Sequence, residues 1–158
     1  MSCPLSRRTF ITSLGCAPVL LSPYGSSALA AAGPDPLQPI PQPASQTDAA
    51  FIARAFEMKQ RGVEAGDRAY GAVVVQEGKI IGQSASRVSR DHDATAHAEL
   101  TAISQACRRM KDSRLQGATL YSSSPPCPMC EAAAYWAGIA RLVYGQDAHD
   151  AGAPALCG

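Results

Sequence analysis

Asp93-Ala94-Thr95-Ala96-His97-Ala98-Glu99 and Pro126-Cys127-Pro128-Met129-Cys130, whose first cysteine lies thirty positions beyond that histidine, are the two segments from which the rest of the chain is read. One imidazole and two thiols offer the nitrogen and sulfur ligands that a borderline-soft zinc ion takes, and a catalytic zinc keeps its fourth position for water. Glu99 stands two residues after His97. On a helix that offset points the two side chains in different directions, so the carboxylate stands beside the metal as a proton carrier. A helix N-terminus favours thiolate, the metal-binding form of cysteine. Pro126 and Pro128 restrict the backbone on either side of Cys127. Taken singly, each part has a plainer reading: Cys127-x-x-Cys130 as a redox pair, His97 as a satisfied histidine, Glu99 as ordinary helix charge. Taken together, His97, Cys127 and Cys130 are the expected ligands of one zinc ion per chain, with Glu99 as the catalytic residue.

Working outward, the interval between the two segments holds the rest of a helix, a loop and a strand. The helix begins near Thr95, with Thr95 or Asp93 near its cap, carries Leu100, Ile103 and Cys107 on one face, and ends around Lys111. Ala118 to Ser122 reads as a strand that Pro125 and Pro126 end. A further helix runs from about Pro128 to Ala137, Gly138 stops it, and Arg141 to Tyr144 reads as another strand. Upstream, Phe51, Ile52, Ala55, Phe56 and Val63 recur at helical spacing behind a Thr47 or Asp48 cap. Ala72 to Val75 and Lys79 to Gly82 flank Glu77-Gly78, a tight-turn pair, and predict a β-hairpin. Ser84 to Asp93 reads as a polar loop. No internal repeat is visible. The order α-β-β-α-β-α-β predicts an α/β fold, a three-layer α/β/α sandwich on a mixed sheet of four strands, or five if the tail adds one.

The 158 residues, 46% apolar and 17% charged, suit one domain with a substantial core. Ser6-Arg7-Arg8-Thr9-Phe10-Ile11, an apolar run to Leu21 and the small-x-small site Ala28-Leu29-Ala30 resemble a twin-arginine export signal over residues 1–30. Pro34, Pro36, Pro39, Pro41 and Pro43 make residues 31–46 a semi-rigid linker, which places the catalytic domain at 47–158. The expected localisation is periplasmic or secreted, with the export machinery as a transient partner. Removing Arg7 and Arg8 reduces the 14 basic residues to 12 against 13 acidic ones, a net charge of −1. That balance disfavours a nucleic-acid partner, and Arg108, Arg109, Lys111 and Arg114 read as a solvated helix end. The apolar run is too short to span a bilayer, so no membrane partner is expected. Of the remaining cysteines, Cys107 falls on an apolar helix face and reads as a small core residue; a Cys107–Cys157 disulfide stays open. His92 and His149 read as solvated loop histidines.

The combination of His97-Ala98-Glu99 with Pro126-Cys127-Pro128-Met129-Cys130 matches the H-x-E and P-C-x-x-C signature of zinc deaminases. With Tyr70-Gly71-Ala72-Val73-Val74-Val75 it makes the chain resemble, from about Phe51 to Tyr144, the cytidine deaminase-like superfamily. The nearest branch is that of bacterial guanine deaminases and tRNA adenosine deaminases. The resemblance implies a homodimer whose neighbouring subunit helps to finish the active site. It also implies a base pocket in which Tyr70 stacks on the ring, the Ala98 backbone N–H bonds the base, and Trp136 of Tyr135-Trp136-Ala137 lines the wall. Eleven residues before the zinc histidine the family has an Asn that bonds base or sugar; Ser86 stands there in this chain. The family also continues past its fourth strand with a further strand and helix, whereas Gly152, Pro154 and Gly158 make the stretch from Gly145 unfavourable to a regular element.

The function implied by the resemblance is hydrolytic deamination of a free nucleobase or nucleoside, with a guanine-type purine favoured by Trp136. Zinc-bound hydroxide would attack the ring carbon, Glu99 would shuttle the proton, and ammonia would leave. A tRNA adenosine (or cytosine) deaminase is the alternative within the enzyme class. A zinc-binding module with a degenerate base pocket is the alternative outside it, against which Glu99 argues, since a structural site has no use for a proton carrier.

Overall fold

The computed structural model describes residues 38–156. The export-signal reading of residues 1–30 and the pairing of Cys157 lie outside them. In chain order the elements are α1 (Asp48–Glu64), β1 (Gly71–Gln76), β2 (Lys79–Ala85), α2 (Val88–Asp91), α3 (Ala98–Met110), β3 (Thr119–Ser122), α4 (Pro128–Trp136), β4 (Arg141–Tyr144) and β5 (His149–Gly152). One mixed sheet runs β2-β1-β3-β4-β5. Neighbouring strands are antiparallel except β3 and β4, which are parallel because α4 carries the chain back over the sheet between them.

The run Ala72-Val73-Val74-Val75 is apolar at every position because the sheet is covered on both sides. Ala72 and Val74, with Leu120 and Leu142, join the core formed with Ala98, Ala102, Ile103 and Ala106 of α3 and Ala134 of α4. Val73 and Val75, with Tyr121 and Val143, face Phe51, Ile52 and Met58 of α1. These are the three predicted layers, α1 below the sheet, α3 and α4 above it. Two glycines set how closely the layers approach. A Cβ on Gly71 would stand 2.2 Å from both Ala55 O and Lys59 N, and one on Gly82 would stand 2.3 Å from Ala102 O. The helices therefore rest on bare backbone at the start of β1 and in the middle of β2. The hairpin turns on Glu77 (φ 50°) and Gly78 (φ 73°), the left-handed pair that a two-residue loop requires.

Several expectations are corrected. Val63 is exposed, and the buried face of α1 passes through Met58 and Gly62 instead. Part of the polar loop after β2 folds into α2, a single turn closed by exposed His92 in the left-handed region at φ 52°. α3 starts at Ala98, later than predicted, because Asp93 accepts from Thr95 N (2.8 Å) and Thr95 Oγ1 (2.7 Å). Both expected cap residues are thus consumed in a local turn ahead of the helix. The segment after Tyr144 does form a strand. β5 pairs antiparallel with β4 across an irregularity at Leu142/Val143. Arg141 Nε holds Asp150 at 2.7 Å, and Gly152 takes φ 75° at this edge, where a left-handed residue is tolerated. The Pro-rich stretch is docked over its described part. Ile40 packs on the α1 side of the core, and Gln42 bonds Ile80 through both amide groups, Oε1 accepting at 2.7 Å and Nε2 donating at 3.0 Å. Cys107 is partly buried against the upper core and is bonded to no other cysteine among the described residues, with burial pushing its pKa up. No described helix is long and apolar enough to cross a membrane.

Candidate metal centre and adjoining cavity

Two helix N-termini meet at the C-terminal end of β3, and the residues that cap them are the predicted ligands. His97 is the N-cap of α3 (φ −63°, ψ 152°), and Cys127 is the N-cap of α4 (φ −74°, ψ 163°), followed by Pro128 in the first turn. Neither side chain makes a capping hydrogen bond to its own helix. Both are therefore turned outward and available to a common centre. Cys130 follows in the first turn of α4 and is fully buried.

The three donor atoms form a compact triangle. His97 Nδ1 lies 3.7 Å from Cys127 Sγ and 3.6 Å from Cys130 Sγ, and the two sulfurs are 3.5 Å apart. A tetrahedral zinc with Zn–S of about 2.3 Å and Zn–N of about 2.0–2.1 Å would place its sulfurs about 3.8 Å apart and its nitrogen about 3.6 Å from each. The donor set fits the ion in chemistry and in spacing, and the group can hold one zinc. Burial pushes the Cys130 thiol well above its ordinary pKa, and the Glu99 charge adds to the push. A bound dication is the partner that would relieve both costs and let the thiolate form. The sulfur separation is far beyond a disulfide bond, and both thiols are free.

Glu99 sits in the first turn of α3 with only 4% of its surface exposed. Ser122, the last residue of β3, donates to its Oε1 at 2.8 Å, while Oε2 stands 3.7 Å from Cys130 Sγ. One oxygen is therefore held by the sheet and the other faces the ligand triangle. Ser123 accepts from the Gly71 amide at 3.1 Å, tying the same strand end to the start of β1. Neither serine was singled out from sequence. The only hint is the run Ser122-Ser123-Ser124 closing a buried strand just before the prolines.

Beside the triangle lies a cavity of about 150 Å³ lined by Arg68, Tyr70, Ser86, His97, Ala98, Glu99, Pro125 and Cys127. Engineered cavities of about 150 Å³ elsewhere admit one small aromatic ring. Of the predicted substrate contacts, Tyr70, Ser86 and Ala98 are brought to this space. Trp136 is not: it ends α4, is 71% exposed and stacks edge-on against Tyr135 at 5.4 Å. The Ala98 N–H is one of the free donors of the α3 N-terminus. Ser86 is buried, and its hydroxyl donates to Asp67 Oδ1 at 2.8 Å, an acceptor that sequence reasoning did not find. His149 stacks on Tyr144 at 5.0 Å, and neither it nor His92 lines the cavity. A larger groove of about 400 Å³ beside α2 and α3, lined by Arg87, Asp91, Leu100 and Arg108 among others, contains none of the triangle or Glu99. His97, Cys127 and Glu99 line the smaller cavity.

Comparison with known proteins agrees with this geometry. Residues 45–146 match the cytidine and deoxycytidylate deaminase zinc-binding region. The chain is 41% identical over 102 residues to guanine deaminase of Bacillus subtilis (strain 168), covering 64% of this chain and 65% of that one. It is 37% identical over 94 residues to the tRNA-specific adenosine deaminase of Aquifex aeolicus (strain VF5), covering 60% and 62%. The X-ray structure of guanine deaminase from Bacillus subtilis superposes with a TM-score of 0.59 at 42% identity, over 60% of this chain and 61% of that one. The chain thus spans under two thirds of the length of these relatives.

Proposed function

The chain belongs to the cytidine and deoxycytidylate deaminase zinc-binding family, and we propose that it is a zinc-dependent hydrolase that deaminates a free nucleobase, guanine first among the candidates. One observation carries the reading: His97 and Cys127 of the donor triangle and the Glu99 carboxylate line a single cavity together with Tyr70, Ser86 and Ala98, and Cys130 completes the triangle. A metal triangle alone would serve a structural site. A buried carboxylate with one oxygen turned toward that triangle serves a reaction in which a proton moves twice. Similarity to the Bacillus guanine deaminase supports the choice of guanine.

His97, Cys127 and Cys130 would hold the zinc, which when bound would supply a nucleophile at neutral pH by lowering the pKa of water to about 7. Glu99 takes one proton from water and gives it to a ring nitrogen, then carries a second, from the hydroxyl added to the ring carbon, to the departing nitrogen. Across the turnover one water is consumed, the bond from the ring carbon to its exocyclic amino nitrogen breaks, a carbonyl forms and ammonia leaves. Ser122 holds Glu99 Oε1, so the carboxylate works through Oε2. Tyr70 stacks on the ring, and the Ala98 N–H bonds the base. A homodimer in which the neighbouring subunit completes the cavity belongs to the same reading. So does export of the folded, metal-loaded protein by the twin-arginine route, since a fusion lacking Arg7 and Arg8 should stay in the cytoplasm.

The reading is tested with the metal-loaded protein against guanine, adenine, cytosine, their nucleosides and an adenosine-bearing tRNA anticodon stem-loop, following ammonia. Release from guanine ahead of the other bases is expected. Release from the stem-loop alone would give the tRNA reading, which the similarity to the Aquifex enzyme favours. No release from any substrate by protein carrying one zinc would leave a zinc-binding module.

A further inference from the structure

We propose that Asp67 sets the hydrogen-bond polarity of the base cavity: it takes the one hydroxyl hydrogen of Ser86, leaving Ser86 Oγ as an acceptor that selects a ring edge bearing an N–H. This rests on the deaminase reading above and names which bases that site prefers.

Asp67 lies between α1 and β1, outside the cavity lining, and organises two of its walls. Its Oδ1 accepts from Arg68 N at 2.7 Å and from Ser86 Oγ at 2.8 Å, and its Oδ2 accepts from Arg90 N at 2.9 Å. Ser86 N donates in turn to Tyr70 O at 2.9 Å. The segment carrying Arg68 and Tyr70 and the segment carrying Ser86 are thereby locked to each other through one carboxylate. Burial works against ionisation of Asp67, but the donors from Arg90, Arg68 and Ser86 outweigh it and hold the carboxyl below its ordinary value. An ionised carboxylate has no proton to offer and a serine hydroxyl has exactly one, so the direction of the Ser86–Asp67 bond is fixed. Only the lone pairs of Ser86 Oγ remain for a ligand. With Ser86 3% exposed, no bulk water is at hand to replace a missing partner. A base that turned an acceptor nitrogen or a methyl group toward Ser86 would leave that oxygen unpaired, whereas a ring N–H satisfies it.

Where the family's Asn offers both a donor and an acceptor, the Ser86–Asp67 pair offers an acceptor alone. Asp67 is a positioning residue, acting through Ser86, and Ser86 is the specificity-determining contact.

The test compares kcat/KM for guanine, adenine, 1-methylguanine and 9-methylguanine, each methyl removing one ring N–H, in the zinc-loaded full chain and in Ser86→Ala and Asp67→Ala. The unsubstituted protein should discriminate at least about tenfold against one of the methylated bases, chiefly through KM. In Ser86→Ala that penalty should fall at least about fivefold, because no acceptor is left to go unpaired. In Asp67→Ala the hydroxyl can turn its hydrogen into the cavity, so discrimination against adenine, which presents an acceptor ring nitrogen, should fall, while the methyl penalty should persist because a methyl offers that hydrogen no acceptor. Amide hydrogen exchange at Arg68 and Arg90 should speed up in Asp67→Ala and not in Ser86→Ala, a readout independent of turnover. If Asp67→Ala does not fold, Ser86→Ala still decides. Methyl penalties equal within twofold in the unsubstituted protein and Ser86→Ala overturn the inference while the deaminase reading stands. Absence of ammonia from every base overturns both.

Discussion

In the proposed reaction Glu99 is the proton carrier, and its environment makes a specific demand. A carboxylate buried beside two sulfurs is costly unless it is held and used. Ser122 does the holding, at 2.8 Å. Glu99→Gln keeps the shape and removes the proton carrier. It should lower kcat by about 10²–10⁴ with zinc still bound at one per chain; unchanged kcat in ammonia assays would remove Glu99 from the mechanism. Ser122→Ala should leave zinc content intact and cost less, on the order of tenfold in kcat, since it releases the orientation of Oε1 and not the group itself. At Gly71 the demand is steric. A methyl group there would have to displace the backbone of α1, because both of its nearest neighbours at 2.2 Å are main-chain atoms. Gly71→Ala should therefore destabilise by about 3 kcal/mol or more, read as a lower urea midpoint, and an unshifted midpoint would refute the close packing of α1 on β1.

At the scale of elements, the two helices of the site share a device. α3 and α4 each begin on a residue that would ordinarily cap the helix and here binds outward, His97 in one case and Cys127 in the other. The helix N-terminus still favours thiolate, so losing a side-chain cap is offset by help to a ligand. α1 is fastened differently. Asp48 accepts from Tyr121 Oη at 2.6 Å and from Arg141 Nη1 and Nη2 at 3.1 and 2.7 Å, and Arg141 also reaches Asp150 on β5. Helix, inner strand and edge strand are thereby joined through one arginine. The hydrogen bonds from Arg141, and then from Tyr121, hold Asp48 below its ordinary carboxylate value of 3.8. Its contribution is present above that value and is lost as pH falls through the lower, folded one. Asp48→Asn should be less stable than the unsubstituted protein at neutral pH by about 1 kcal/mol, discounted for a partly exposed pair. The difference should close in melts taken below pH 3.8, and a constant gap across that range would exclude the linkage.

At the scale of the molecule, the sheet is the platform and the metal fastens its working edge. His97 is on one helix and the two cysteines on another, so an ion held by all three joins α3 to α4 across the end of β3. A ligand bound only by the folded state stabilises it by about 4 kcal/mol at a thousand times its Kd. Chelation should accordingly lower the melting temperature by on the order of 10 °C. Cys127→Ser should melt near the chelated value with or without added zinc, and equal melting with and without zinc in the unsubstituted protein would rule out the shared centre.

Much of this was legible in the chain because it is local chemistry. Imidazole, two thiols and a carboxylate at those spacings define a metal and a proton carrier whatever surrounds them. Short continuous apolar runs and the Glu77-Gly78 turn define the hairpin, and the element order defines the layers. What misled was also local. Asp93 and Thr95 are good cap residues, but they bond each other, and Gly152 was read as a breaker although an edge strand accepts it. Only tertiary structure could bring the two N-termini to one point, leave Trp136 outside the cavity of the single chain, and set Asp67 against Ser86 across 19 positions. Ligand identity is a property of a side chain. Convergence, exclusion and the direction of a shared proton are properties of how segments distant in sequence are packed together, and no spacing rule contains them.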